Sequence, residues 1–315
     1  MRNKTSKYQP FFLPGDFKDP AYRNIRDDPY FAEDRAFVES LWSRYYDLAD
    51  PNCRTNARND FLARFWEMYL AVTLRERGFK LERFGNEGPE FYFMHNNRKV
   101  WIEAVAPGPG NTEDQVPDYF SREVTEIGGV ELETMVPTPV EKIILRFTGV
   151  LFGKDGKKDK YFKAVEKGII AQNDLYILAI NSRGIPYAAH WHTMDIPYFV
   201  QAFLPFGNME WLWNTKTGEI DKTFYQKREN VISAKGAPVS TSAGEDPAFA
   251  FVSAVLHSAV DCVNHPVILG DDFSILHWPA ASPSHRLDPS FFSWCEQWFY
   301  QDGQLERRPK QASQK

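Results

Sequence analysis

The amino-acid sequence predicts an α/β protein: a central mixed β-sheet with helices on both faces. Three stretches carry that expectation. Pro89 to His95 and Arg98 to Val105 are two β-rich runs around Asn96-Asn97, a two-residue hairpin turn. Asp174 to Asn181 (DLYILAIN) is a continuous apolar run, as in a strand buried on both faces. A helical pattern fills the interval between them, so strand, helix and strand predict a right-handed parallel crossover.

Composition bounds what that fold can do. A chain of 315 residues holds one large domain or two. We expect an N-terminal helical extension over 1–50, a core over 51–182, and a C-terminal extension over 183–315 that packs on the core as one compact unit. At 43% hydrophobic and 15% aromatic, the chain can bury a sizeable core. A formal charge of −5 excludes a general polyanion binder, so any nucleic acid contact needs a local basic patch. Cys53, Cys262 and Cys295 show no metal-type spacing and suit a reducing compartment. The first residues lack a signal-peptide pattern, and no apolar run is long enough to span a bilayer. A cytoplasmic protein with no membrane association is expected. A dimer is compatible with the sequence.

The elements follow in order. Residues 1–30, rich in Pro, Asp, Lys and Arg, read as a loosely packed lead-in. Ala32 to Leu48 reads as a helix with Phe37, Leu41, Trp42 and Tyr45 on one face, ended by Asp50-Pro51-Asn52. Phe65 to Leu74 is apolar almost all round, the mark of a buried helix, and Gly78 stops it. Phe79 to Phe84 reads as a first short strand. In the hairpin, a turn at Asn96-Asn97 sets Phe93 opposite Val100, Tyr92 opposite Trp101 and Glu90 opposite Glu103. Thr138-Pro139-Val140-Glu141 combines a capping box with Pro at the first helical position. The helix it opens is interrupted at Gly153 and Gly156 and resumes from Lys157 to Lys167.

Three glutamates stand where apolar side chains belong. Glu67 is the only charge in the buried helix, in one stripe with Ala63, Leu70, Ala71 and Leu74. Such a carboxylate must be paired, protonated or metal-bound, and Arg64 and Arg146 are the candidate ion-pair partners. Glu90 and Glu103, directly opposite on one face, would repel unless something positive sits between them. A divalent cation such as Mg²⁺ takes carboxylate oxygens and is the simplest answer.

Glu90 and Glu103, with twelve residues between them, stand in Gly88-Pro89-Glu90-Phe91 and Ile102-Glu103-Ala104-Val105. This arrangement resembles the core of the PD-(D/E)xK nuclease-like (restriction endonuclease-like) superfamily. Glu67, in Arg64-Phe65-Trp66-Glu67, matches a Glu that many branches carry on the preceding helix. The resemblance spans residues 60–182 and implies an α-β-β-β-α-β core. It implies a Mg²⁺- or Mn²⁺-dependent nuclease acting on nucleic acid, DNA ahead of RNA. Glu67, Glu90 and Glu103 would be its metal ligands. Two positions depart from the pattern: Glu90 replaces the commoner Asp, and Val105 stands at the position of the lysine. Either a lysine has migrated, or the fold binds nucleic acid or a protein partner without cutting.

The densest basic run, Lys154 to Lys167, supplies candidates for that lysine. Lys157 is the first choice, with Lys154 and Lys160 next, and Arg146 is a candidate phosphate contact. The same run also reads as a solvated helix face. Glu113, Asp114 and Asp118 follow the second hairpin strand and read as a loop face or a further ligand source. His190 and His192 would share a strand face but lack a nearby third ligand. Met209 to Trp213 is aromatic-rich and reads as packing over the core, with base stacking as an unspecific alternative. Residues 307–315 read as a polar tail. The chain has no GxSxG elbow, phosphate-binding P-loop, HExxH or GxGxxG motif.

Overall fold

The computed structural model describes residues 8–85, 88–119, 122–127, 130–135, 138–152, 156–189 and 196–311. Four helices come first: α1 (Pro20–Asp27), α2 (Ala32–Tyr45), α3 (Cys53–Ala57) and α4 (Phe61–Glu76). The hairpin β1 (Phe91–His95) and β2 (Arg98–Val105) follows, then a ribbon of β3 (Arg122–Ile127) and β4 (Val130–Met135). Helices α5 (Val140–Phe152) and α6 (Lys157–Glu166) lead to β5 (Leu175–Asn181) and α7 (Tyr198–Phe203). Two further ribbons pair β6 (Phe206–Trp213) with β7 (Ile220–Lys227), and β8 (Asn230–Ile232) with β9 (Pro238–Ser240). The chain closes with β10 (Ala254–Ser258), β11 (Ser274–His277), β12 (Glu296–Gln301) and β13 (Gln304–Arg308).

Seven strands form the central mixed sheet in the order β1-β2-β5-β10-β11-β12-β13. Strands β2, β5 and β10 run parallel, while β1, β11 and β13 each add an antiparallel pairing. Side-chain alternation divides the core in two. Val100, Ile102, Leu175, Ile177, Ala254 and Leu256 face a layer built from α1 to α4. Trp101, Tyr176, Leu178, Ile180 and Val255 face α5, α6 and α7. All seven residues of β5 are buried, as its unbroken apolar run requires.

The hairpin has the register that its turn dictates. Asn96 and Asn97 adopt φ values of 48° and 59°, the left-handed pair that a tight hairpin turn needs. Tyr92 therefore pairs with Trp101, and Phe93 with Val100. The strand expected over Phe79 to Phe84 is reduced to one bridge, where Glu82 and Tyr92 exchange backbone hydrogen bonds of 2.8 Å. Gly85 and Gly88, at φ 56° and 94°, lie in the connection between these two bridged residues.

Three other expectations are corrected. The lead-in is part of the core: Phe11 and Tyr22 are fully buried, and the Tyr22 hydroxyl accepts the Leu13 N–H at 2.6 Å. Met209 to Trp213 does not cover the core but forms a protruding ribbon, with Trp211 and Trp213 exposed. Arg307 and Arg308 belong to the edge strand β13, opposite Trp298 and Gln297, rather than to a tail. Among the described residues, no helix is long and apolar enough to cross a membrane.

Candidate functional site

A cleft of about 370 Å³ opens between the entrance to β1, the middle of β2 and one face of α6. Gly88, Pro89 and Glu90 form one lip. Glu103 projects from β2 on the α6 side, with Tyr176 of β5 beside it. Lys157, Lys160, Lys163 and Lys167 form the other wall, with Tyr161 and Ala164 between them. Positions 157, 160, 161, 164 and 167 recur at helical spacing, so one broad stripe of α6 meets the carboxylates.

Local folding places each group. Glu90 directly precedes β1, and its Oε2 accepts the Ala104 N–H at 2.9 Å, which extends the hairpin by one anchored residue. Glu103 lies within β2 at 6% exposure. Gly156, with extended backbone, caps the start of α6, so Lys157 is the first helical residue and its stem reaches back over the sheet. The Lys157 ammonium pairs with the Glu103 carboxylate.

The electrostatics follow from two carboxylates and one ammonium in a shielded place. Burial, then the charge of Glu90, pushes the Glu103 carboxyl up to about 8, although Lys157 and Lys160 pull it back. Burial opposes the charge on Lys157, but Glu103, Glu90 and Glu67 outweigh it and raise its pKa. Burial also lifts the Tyr176 hydroxyl far above its ordinary range, with Glu103 and Glu90 adding to it. Lys160, Lys163 and Lys167 add three further ammonium groups along the wall, so lysines outnumber the carboxylates in the cleft.

Glu67 stands elsewhere. It is buried in α4, ion-paired with Arg64, and accepts a hydrogen bond from the Tyr45 hydroxyl at 3.4 Å. Burial raises its carboxyl to about 7; Arg64 opposes this and Glu90 reinforces it. Glu67 does not line the cleft, so the expected set of three carboxylates is not assembled around one point. Among the described residues, no group of three or more His, Cys, Asp or Glu is placed to hold a metal ion. Glu90 and Glu103 remain together, and Mg²⁺ commonly uses one or two carboxylates with water and substrate oxygens filling its other positions. Their oxygen donor set fits that kind of site.

The other candidates separate. Arg146 donates from Nε to the Gly108 carbonyl at 2.8 Å and braces the loop after β2 rather than the cleft. Lys160 lines the cleft, whereas Lys154 lies outside the described residues, as do His190 and His192. Asp114 accepts the Ala234 N–H at 2.6 Å and Asp118 the Tyr119 N–H at 2.7 Å; with Glu113, they stay on the loop. A Ser182–His257 pair, 2.9 Å apart, is buried and stacked against Phe199, so it offers no open nucleophile. Lys163 and Lys167 belong to the basic run that the sequence offers for phosphate contact, and Tyr161 and Tyr176 are cleft residues outside that expectation. Helical spacing from Lys157 carried the signal for Tyr161 once α6 was known to face Glu103.

No family model, curated protein or solved structure matches this chain.

Proposed function

We propose that the cleft is the site of a divalent-cation-dependent phosphodiesterase acting on nucleic acid, DNA ahead of RNA. The observation that carries this reading is the meeting of Glu90, Glu103 and Lys157 at the floor of a lysine-walled cleft. It is also the arrangement that the resemblance to the PD-(D/E)xK superfamily leads one to expect, with the lysine supplied by the following helix instead of residue 105. Glu90 and Glu103 would hold Mg²⁺ or Mn²⁺, which when bound polarises the scissile phosphate and acidifies its water. Lys157 Nζ faces the developing charge on the phosphate and favours the ionised form of Glu103. Lys160, Lys163 and Lys167 hold neighbouring phosphates as point charges along the wall. Glu67, paired with Arg64, contributes negative potential behind Glu90.

Cleavage of plasmid, linear duplex, single-stranded DNA and RNA with Mg²⁺ or Mn²⁺ tests this reading. Metal-dependent cutting lost in Glu103→Ala and in Lys157→Ala supports it. A second reading rests on the ion pair: Lys157 is already neutralised by Glu103, and Val105 offers no replacement. In that case the fold binds nucleic acid or a protein partner without cutting, and wild type shows metal-independent binding and no products.

A further inference from the structure

A second cavity, of about 310 Å³, opens on the α4 side of the sheet. It sits where β5 and β10 end, at the carboxyl edge of parallel strands, the usual ligand position in open α/β sheets. Ile25, Phe31, Phe61 and Phe65 make it apolar. Arg183, just after β5, and Asp261, just after β10, form its polar wall.

Arg183 is held rigidly and incompletely used. Its backbone N–H donates to Asn181 Oδ1 at 2.8 Å, and its Nε donates to Asp261 Oδ2 at 2.5 Å. The other oxygen of Asp261 accepts the N–H groups of Val263 at 2.9 Å and Asn264 at 2.6 Å. The carboxylate is thereby committed to its own loop. Among the described residues, the two terminal nitrogens of Arg183 have no hydrogen-bond partner, and 34% of the side chain is exposed. An oriented guanidinium with a free fork recognises a planar or tetrahedral anion through paired donors.

We propose that this cavity binds a small organic anion: an apolar body about the size of one or two rings, bearing a terminal carboxylate or phosphate held by Arg183. The volume lies near the small end of ligand pockets, about 300–1,000 Å³, so it suits a compact metabolite rather than a polymer. The phenyl walls take the apolar body, and the guanidinium takes the charge. The proposal is independent of the cleft at Glu103 and of any nuclease activity.

Calorimetric titration of the full chain with benzoate, phenyl phosphate and uncharged benzyl alcohol tests it. At least one anion should bind about tenfold more tightly than the alcohol. Whichever anion wins identifies the source, carboxylate or phosphate. Arg183→Met should weaken that anion about tenfold and leave the alcohol unchanged, and Arg183→Lys should recover only part of the loss. Leu62→Trp fills the cavity while keeping the Arg183 charge and should block all three probes; thermal melting checks that each variant is folded. Equal binding of the anions and the alcohol, or no binding of any probe, would overturn the proposal. So would anion binding that survives both Arg183→Met and Leu62→Trp.

Discussion

Replacing Lys157 with Met probes the charge balance of the cleft, because Met keeps much of the stem and removes the ammonium. In the native pair, only 14% of the Lys157 side chain and 8% of Glu103 are exposed, so solvent screens them little. Removing one partner of a buried ion pair typically costs about 3–5 kcal/mol. The cost here depends on pH, because Glu103 can shed its charge by taking up a proton. Its carboxyl is raised from 4.5 to about 8 in the folded protein. Between those values the native state binds more protons than the unfolded chain, so this contribution is complete below the window and is lost as pH rises through it. Without Lys157 the folded value moves higher and the window widens at its alkaline end. We expect the variant to lose about 1 kcal/mol near pH 6 and about 3 kcal/mol near pH 9. Urea denaturation with a chelator at both pH values measures the two losses. Mg²⁺ restores positive charge beside Glu90 and Glu103, so adding it should recover part of the alkaline loss. Equal losses at both pH values, with no recovery by Mg²⁺, would refute the reasoning.

Other predictions concern the sheet, the helices and the lysine wall. Arg64→Met leaves Glu67 buried without its ion pair; because Glu67 is raised to about 7, thermal melting should show a larger loss above that pH than below it. Trp66→Ala empties a fully buried site and frees the Ala179 carbonyl, which the indole N–H meets at 3.0 Å; the urea midpoint should report a loss of about 3–5 kcal/mol. Gly270→Ala sets a Cβ 2.5 Å from the Thr73 methyl at φ 81°, so calorimetry should show a loss of about 2 kcal/mol or more. Replacing Lys163 and Lys167 with Gln should reduce the salt dependence of nucleic acid binding by about two in log–log slope, measured by fluorescence anisotropy.

The legible parts of this fold are those set by short-range chemistry. Two consecutive asparagines fixed the hairpin turn, and the turn fixed the register up to Phe91 and Ile102, next to the two glutamates that line one cleft. Gly156, in extended backbone, placed Lys157 at the start of α6. The apolar run of β5 revealed a strand buried on both faces. What stayed hidden depends on distant partners. Phe79 to Phe84 has strand-like residues, yet only Glu82 of this stretch bridges to the hairpin. Trp211 and Trp213 have the composition of core residues, yet their ribbon leaves them exposed, and composition alone cannot show which face has a partner. The pairing of β10 with β5 joins segments far apart in sequence, whereas β12 and β13 pair locally across Asp302-Gly303. By contrast, the pairing of Glu67 with Arg64, one helical turn away, was among the expected alternatives and is what the structure holds.

The most direct test of the central claim is cleavage of the nucleic acid panel by wild type and Glu103→Ala, with Mg²⁺ or Mn²⁺ and with chelator. The account predicts products only with wild type and metal, and none with Glu103→Ala at equal folded concentration. Cutting that persists in Glu103→Ala would place the chemistry elsewhere. Binding without products from wild type, unchanged by metal, would make the cleft a recognition site instead.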